Sequence, residues 1–203
     1  MEIKWQNISL SQIATYSQGL QVPIEKQLKE KGKGLSRFIR IVDFINDNEE
    51  PRYIKTPNEK YFISKDDIVM IRYGSQTAGK VVKGLSGVLA NNMFKVNLNV
   101  NFISKKYLFL CLSENEIYQY LRNAQSSSTM PAINFGMMDS INIRYPPLSY
   151  QKAISKILGT VDEKIELNKR TNETLEEISK ALFKASKLDS NIFRSLTELG
   201  YGD

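Results

Sequence analysis

Histidine is absent from this chain of 203 residues, which removes the commonest general base and the commonest metal ligand together. Cysteine occurs once, as Cys111, and its apolar context LFLCLS predicts a buried core thiol. No apolar run approaches about 18 residues and the N-terminus has no signal-peptide pattern, so a cytoplasmic protein without a membrane span is expected. Paired acids of the kind a nuclease uses are also missing, since Asp66-Asp67 has no Glu-x-Lys partner at a suitable spacing. With 41% hydrophobic and 25% charged residues, the chain reads as globular, long enough for one core-bearing domain plus an appendage.

The net charge of +6 is unevenly placed. Residues 1–148 hold 19 Lys/Arg against 13 Asp/Glu, whereas residues 149–203 hold nine of each. All the excess positive charge therefore falls on the N-terminal part, as expected if that part meets a polyanion while the remainder meets protein.

The C-terminal part is organised by one periodic stretch. After Pro146-Pro147 the sequence contains no proline as far as Leu188, and only Gly159 interrupts a run of good helix formers, with Ser149 placed to cap the N-terminus. Ile154, Leu158, Val161, Ile165, Asn168, Asn172 and Leu175 follow in alternating steps of four and three, and Ile178 and Leu182 continue the stripe after a slip of phase. This is the a/d seam of a pairing helix on the order of 55 Å long, flanked by charges such as Lys164, Glu166, Lys169, Arg170 and Glu173. Asn168 and Asn172 in mid-seam cost stability but favour registers in which their amides meet polar partners. The competing interpretation is the core stripe of an ordinary globular helix.

Upstream, the patterning predicts a mixed α/β domain with many loops. Arg37–Phe44 and Ile68–Tyr73 read as strands, Val81–Val96 as short strands, Leu98–Ile103 as extended, Lys106–Leu121 as helix broken near Ser113, and Ile141–Tyr145 as a last strand. Val22–Gly34, Asn46–Pro57 and Ala124–Met138 read as loops. Gly74–Lys80 satisfies G-x-x-x-x-G-K after a strand, but Val81 replaces the hydroxyl that would hold Mg²⁺ and no Walker-B acid is evident, so nucleotide hydrolysis is not expected. The loop still suits approach to a duplex: Ser75, Thr77, Lys80 and the backbone for phosphate, Gln76 for an adenine edge. An ordinary hairpin loop is the alternative. Arg72, Arg37 and Arg40 are candidate guanine readers or simply solvated arginines, and Lys31 and Lys33, in a lysine-rich loop, are candidate phosphate contacts. Pro146-Pro147 lacks the flanking residues of an N-P-P-Y methyltransferase motif, since Tyr145 precedes and Leu148 follows. The chain reads as non-catalytic.

The run PPLSYQKAISKILGTVDEKIELNKRTNETLEEISKALFK resembles the spacer helix of type I restriction-modification specificity subunits, and SSSTMPAINFGMMDSINIRYPP resembles the end of that family's target recognition domain. WQNISLSQIA, FIRIVDF and DDIVMIRYGSQTAGKV are similar to its looser early landmarks. The resemblance implies an α+β target recognition domain over 1–147, a dimerising helix over 148–188 and a tail over 189–203. It also places Ser127, Ser128, Thr129 and Asn134 at the DNA-facing edge. It implies double-stranded DNA as ligand, DNA adenine methyltransferase and restriction subunits as partners, and no cofactor on this chain, S-adenosylmethionine and ATP with magnesium belonging to the partners. Family members usually carry two domains and two helices; the single set here resembles a half-length subunit, either functional as a homodimer or a truncated relic. Reflecting the seam about position 170 sets Asn168 against Asn172, Ile165 against Leu175 and Leu158 against Leu182. A parallel coil would also pair the asparagines, and the resemblance favours antiparallel. The rival class is a coiled-coil scaffold whose basic domain binds no particular sequence.

Overall fold

The computed structural model describes residues 3–46, 48–124 and 132–198, with side chains described as far as Ser186. Among the described residues ten strands and four α-helices follow one another, with short 3-10 turns between some of them: β1 (Gln6–Ser9), β2 (Ala14–Gln18), β3 (Leu35–Ile39), β4 (Arg52–Lys55), β5 (Phe62–Ile63), β6 (Ile68–Ile71), β7 (Val81–Lys83), β8 (Gly87–Leu89), β9 (Met93–Leu98), α1 (Lys105–Leu112), α2 (Asn115–Asn123), α3 (Phe135–Asp139), β10 (Asn142–Tyr145) and α4 (Leu148–Glu198). The chain divides into two units, Met1–Ser155 and Lys156–Asp203.

In the first unit the strands form three sheets, ordered β1-β10, β2-β9-β6-β7 and β4-β3-β8-β5, with β3 and β8 the one parallel pair among them. Strand β6, IVMI, is buried throughout, which is why it reads as a continuous apolar run rather than an alternation. Its side chains serve two cores in turn. Ile68 and Met70 point with Phe94 and Val96 toward Leu108, Leu112, Leu121 and Ile143; Val69 and Ile71 point with Met93 toward Phe38, Ile39, Ile54 and Val88 on the second four-stranded sheet. Cys111 is buried in the first core as expected, and burial pushes its thiol up to about 11, a hydrogen bond with Tyr107 offsetting part of that rise.

Several elements differ from the sequence expectation. The strand expected over Arg37–Phe44 ends at Ile39, because the Asp43 carboxylate accepts from the Arg40 amide (2.8 Å) and folds Ile41–Phe44 into a 3-10 turn. The loop expected over Asn46–Pro57 contains β4, whose Ile54 is buried against β3 although its neighbours are polar. Residues 99–103 are not a strand: β9 ends at Leu98, and the chain turns so that the Ser104 hydroxyl caps α1 by accepting from the Tyr107 amide (3.2 Å). The loop expected over Ala124–Met138 includes α3, capped by Asn134. Helix α4 starts at Leu148, two residues earlier than a Ser149 cap allows, with the Pro147 carbonyl accepting from the Gln151 amide, and it runs to Glu198 rather than stopping at 188, since no proline or glycine intervenes.

The first two turns of α4 belong to the N-terminal unit. Gln151, completely buried, donates Nε2 to the carbonyls of Phe102 (2.9 Å) and Pro146 (2.8 Å) and accepts at Oε1 from the Ser104 amide (2.8 Å). In the second unit, Glu166–Arg170, Lys169–Glu173 and Glu176–Lys180 form ion pairs one turn apart that support the helix by a few tenths of a kcal/mol each. Among the described residues no helix is long and apolar enough to cross a membrane.

Asp67 ties the β5–β6 turn to α1. Burial raises its carboxyl, but a hydrogen bond from Lys105 (2.7 Å), one from the Ser64 amide, and the charges of Lys105 and Lys95 outweigh that and hold it below the usual carboxylate range. A depressed folded-state value means this stabilisation is present above the unfolded carboxylate value, near 4, and is lost as pH falls through the folded one. Lys105→Met is expected to cost about 1 kcal/mol at pH 7, because Lys105 stays 39% exposed, and to flatten the loss of stability on acidification below pH 4. Thermal unfolding of the two proteins from pH 7 to pH 3 checks this; parallel curves would remove Asp67 from the account.

Candidate nucleic-acid interface

The Gly74–Lys80 loop joins β6 to β7 as a tight, internally bonded turn. Gly74 and Gly79 take positive φ angles of 118° and 88°, which a side chain at either position would strain. The amides of Ala78, Gly79 and Lys80 donate to the carbonyls of Gly74, Ile71 and Thr77, so none of the three faces outward to hold a phosphate. The Thr77 hydroxyl donates to the Tyr73 carbonyl (3.0 Å) and is half-buried. A strand follows where a phosphate loop needs a helix N-terminus. Those three amides and the Thr77 hydroxyl hydrogen, expected among the phosphate contacts, are therefore committed within the turn; the side chains of Ser75, Gln76 and Lys80 remain exposed.

Two neighbours hold this turn in place. Tyr118 on α2 donates its hydroxyl to the Gln76 carbonyl (3.1 Å), and Arg122 donates to that hydroxyl (3.1 Å). On the other side the Ile133 amide donates to the Arg72 carbonyl (2.9 Å) and Tyr73 bridges to Ala132, which brings Asn134 into the same neighbourhood. Asn134 spends its Oδ1 on the Met137 amide (2.9 Å) as the cap of α3 while remaining exposed. Ser127, Ser128 and Thr129 lie outside the described residues. The Arg72 guanidinium lies over the Tyr73 ring (5.1 Å), with Nε buried and without a hydrogen-bond partner among the described residues.

Whereas Arg72 follows β6 of one four-stranded sheet, Arg37 lies on β3 of the other and Arg40 just past its end. Both bind Asp43, whose side chain is 1% exposed: Arg37 Nη2 at 3.4 Å and Arg40 Nε at 3.1 Å. Arg40 Nη2 also reaches Glu49 (3.0 Å) and the Glu50 carbonyl (3.0 Å). The donors that would bridge a guanine are thus largely engaged within the chain at Arg40, and partly so at Arg37. Lys31 and Lys33 are exposed, without ion-pair partners among the described residues, at the opposite end of β3 from Arg40. The structure thus gathers Arg72, Ser75, Gln76, Lys80 and Asn134, and leaves the two lysines apart from them.

The seam residues of α4 fall into two groups. Ile154 is partly buried against the core of its own N-terminal unit, so the free seam begins at Leu158. Leu158, Val161, Ile165, Leu175, Ile178 and Leu182 stand between 43% and 66% exposed, and Asn168 and Asn172 are exposed between them. Residues that sequence reasoning missed are Asp43, Tyr118 and Gln151, each of which works through a tertiary partner that no local pattern announces.

Comparison with known proteins gives this arrangement its context. The family described as type I restriction modification DNA specificity domain matches residues 2–177. The type I restriction enzyme MjaVIII specificity subunit of Methanocaldococcus jannaschii is 24% identical over 180 residues, covering 89% of this chain and 41% of the relative. The HindI specificity subunit of Haemophilus influenzae is 36% identical over 141 residues, covering 67% and 31%. The chain thus spans less than half the length of these relatives. The crystal structure of the type I restriction-modification S subunit from M. genitalium superposes with a TM-score of 0.59 at 17% identity, over 81% of this chain and 40% of that one, so the fold is shared as well. With the family match extending over most of its length, this chain belongs to the type I restriction modification DNA specificity domain family.

Proposed function

We propose that this chain is a non-catalytic, sequence-specific DNA-recognition subunit in which one recognition domain, built by residues 1–147, is paired with a second copy through helix α4. In the cytoplasm the pair delivers DNA adenine methyltransferase subunits, and restriction subunits with them, to a bipartite site. S-adenosylmethionine and ATP chemistry belong to those partners. The observation that carries the reading is the row of six apolar seam residues left exposed from Leu158 to Leu182, interrupted by two asparagines that an antiparallel copy brings together. The basic excess on residues 1–148 and the exposed Ser75, Gln76 and Lys80 beside Arg72 support DNA as the ligand.

Antiparallel pairing sets the two recognition domains on the order of 50 Å apart, and a two-fold axis makes identical readers see one sequence on opposite strands. The expected target is two short inverted half-sites around an uncontacted spacer, with centres at least about 34 Å apart. Selection of bound duplexes from a random pool tests this; a single continuous asymmetric consensus would contradict the paired reader, and failure to enrich any sequence would favour a scaffold.

Within each half-site the contacts divide by chemistry. Exchanging Lys31 and Lys33 for glutamine is expected to weaken binding to every sequence and to lower the salt dependence, by a slope of about one for each phosphate no longer neutralised. Changing Arg72 or Gln76 is expected to relax preference at one base position by about 1–3 kcal/mol. Titrations of target and random duplex at several salt concentrations separate the two; equal losses on both duplexes for Arg72 and Gln76 variants would remove them as base readers.

A further inference from the structure

Two buried polar groups of opposite sense stand on neighbouring residues beside the Gly74–Lys80 turn. Arg72 Nε and Asn92 Oδ1 are both enclosed, and neither has a hydrogen-bond partner among the described residues. The first can only donate and the second can only accept. The register of β6 on β9 runs from Ile68–Val96 to Ile71–Met93. Its next step is Arg72 with Asn92, whose carbonyl accepts from the Arg72 amide (2.9 Å). Residues opposed in this way send their side chains to one face of the sheet, with Cβ atoms about 5 Å apart. Side-chain rotation alone is enough to join Nε–H to Oδ1, with no movement of the backbone.

Folding normally pairs such groups, because each one left unmade has given up water for nothing. The outer end of the same guanidinium is placed differently. Neither Nη is enclosed, and neither has a partner among the described residues. The group lies over the Tyr73 ring (5.1 Å), and the Arg72 carbonyl accepts from the Ile133 amide (2.9 Å), so the backbone is held on both sides. With Nε turned inward, a fork made of Nε and one Nη is closed to a ligand. The fork that remains is Nη1 with Nη2, end-on. Two donors side by side match O6 and N7 on the major-groove edge of guanine. We propose that Asn92 is a positioning residue for Arg72. On contact with the duplex Nε–H donates to Asn92 Oδ1, which fixes the guanidinium plane and aims both Nη groups at one guanine. Asn92 itself does not touch the base. This role rests on the proposed DNA-recognition function, with Arg72 as a reader, and adds the base, the end-on approach and the residue that holds it.

Three variants test the role. Asn92→Leu keeps the size and removes the acceptor, Asn92→Asp keeps an acceptor at the same reach, and Arg72→Met removes the fork. Each is titrated with the selected duplex, with random duplex, and with the selected duplex carrying 7-deazaguanine, which lacks the N7 acceptor, in place of one guanine at a time. The wild type is expected to prefer guanine about ten-fold at one position per half-site. Arg72→Met and Asn92→Leu are each expected to bring that ratio near one, the double variant to lose nothing further, and Asn92→Asp to preserve it. The Tm of Asn92→Leu is expected to match or exceed the wild type, because the acceptor it removes is unpaired in the free chain. A readout that needs no variant is the Arg72 Nε–H resonance in ¹⁵N spectra of the complex, which is expected to exchange slowly with solvent. The role of Asn92 is overturned, with DNA recognition left standing, by any of four results: no 7-deazaguanine effect in the wild type, an unchanged ratio in Asn92→Leu, equal losses on selected and random duplex, or rapid Nε–H exchange in the complex. If Arg72→Met leaves the ratio unchanged at every position, Arg72 falls as a reader and the role falls with it. If the wild type enriches no sequence, the DNA reading falls too.

Discussion

Aspartate at both Leu158 and Ile165 is expected to turn a dimer into a monomer while leaving the N-terminal unit folded. Both side chains are exposed in the single chain, at 43% and 62%, so the substitutions remove nothing from its own cores. In the pair they would lie inside the seam, where an unpaired carboxylate either stays charged in an apolar setting or takes up a proton at a cost. Four such groups per dimer are expected to destabilise it by at least about 4 kcal/mol, on the order of a thousand-fold in the dimer Kd. Sedimentation or light scattering across a concentration series reads this directly, with near-ultraviolet circular dichroism reporting the N-terminal unit. A double variant that still sediments as a dimer would take the pairing role away from α4. Ile154→Asp provides the contrast: because Ile154 packs on the core of its own unit, its replacement is expected to lower the melting temperature as well.

The second large effect is expected at Gln151. Its side chain satisfies two carbonyls and one amide at the point where α4 leaves the domain, and no water reaches it. Gln151→Leu keeps the volume roughly constant but strands the Ser104 amide and the Phe102 and Pro146 carbonyls, at about 1–3 kcal/mol for each group left unsatisfied. A loss of about 3–5 kcal/mol, or roughly 10 °C in Tm, is expected. Gln151→Glu retains the acceptor for Ser104 but sets a carboxylate oxygen against the two carbonyls, so it should rescue little at pH 7. Denaturant titration followed by the fluorescence of Trp5 in the N-terminal unit measures both. A loss below 1 kcal/mol for Gln151→Leu would mean that the root of the helix is held by apolar packing alone.

The local chemistry of α4 was legible because a helix needs only its own neighbours. Good helix formers, a seam repeating every three and four residues, and acid–base pairs one turn apart are written within a few positions of each other, and α4 forms where they occur. The break near Ser113 between α1 and α2, the strand character of Ile68–Ile71 and the burial of Cys111 were legible for the same reason. The failure of Gly74–Lys80 as a phosphate loop also showed in one residue, Val81.

Tertiary structure decided what depends on distant partners. Strand β4 is hidden in a polar segment and exists because β3 lies beside it; Ile154 reads as the first seam position and is instead taken by its own domain's core. Arg37 and Arg40 carry the same chemistry as Arg72 in the sequence, yet a buried Asp43 claims them and leaves Arg72 to the exposed turn. Gln151 carries no periodic signal, because its three partners lie 47 to 49 residues away or around a proline turn. Periodicity reports which face of an element is apolar, a property of neighbours in sequence; which polar side chains are spent inside and which remain for a ligand is set by long-range contacts, and these exist only once the chain has folded.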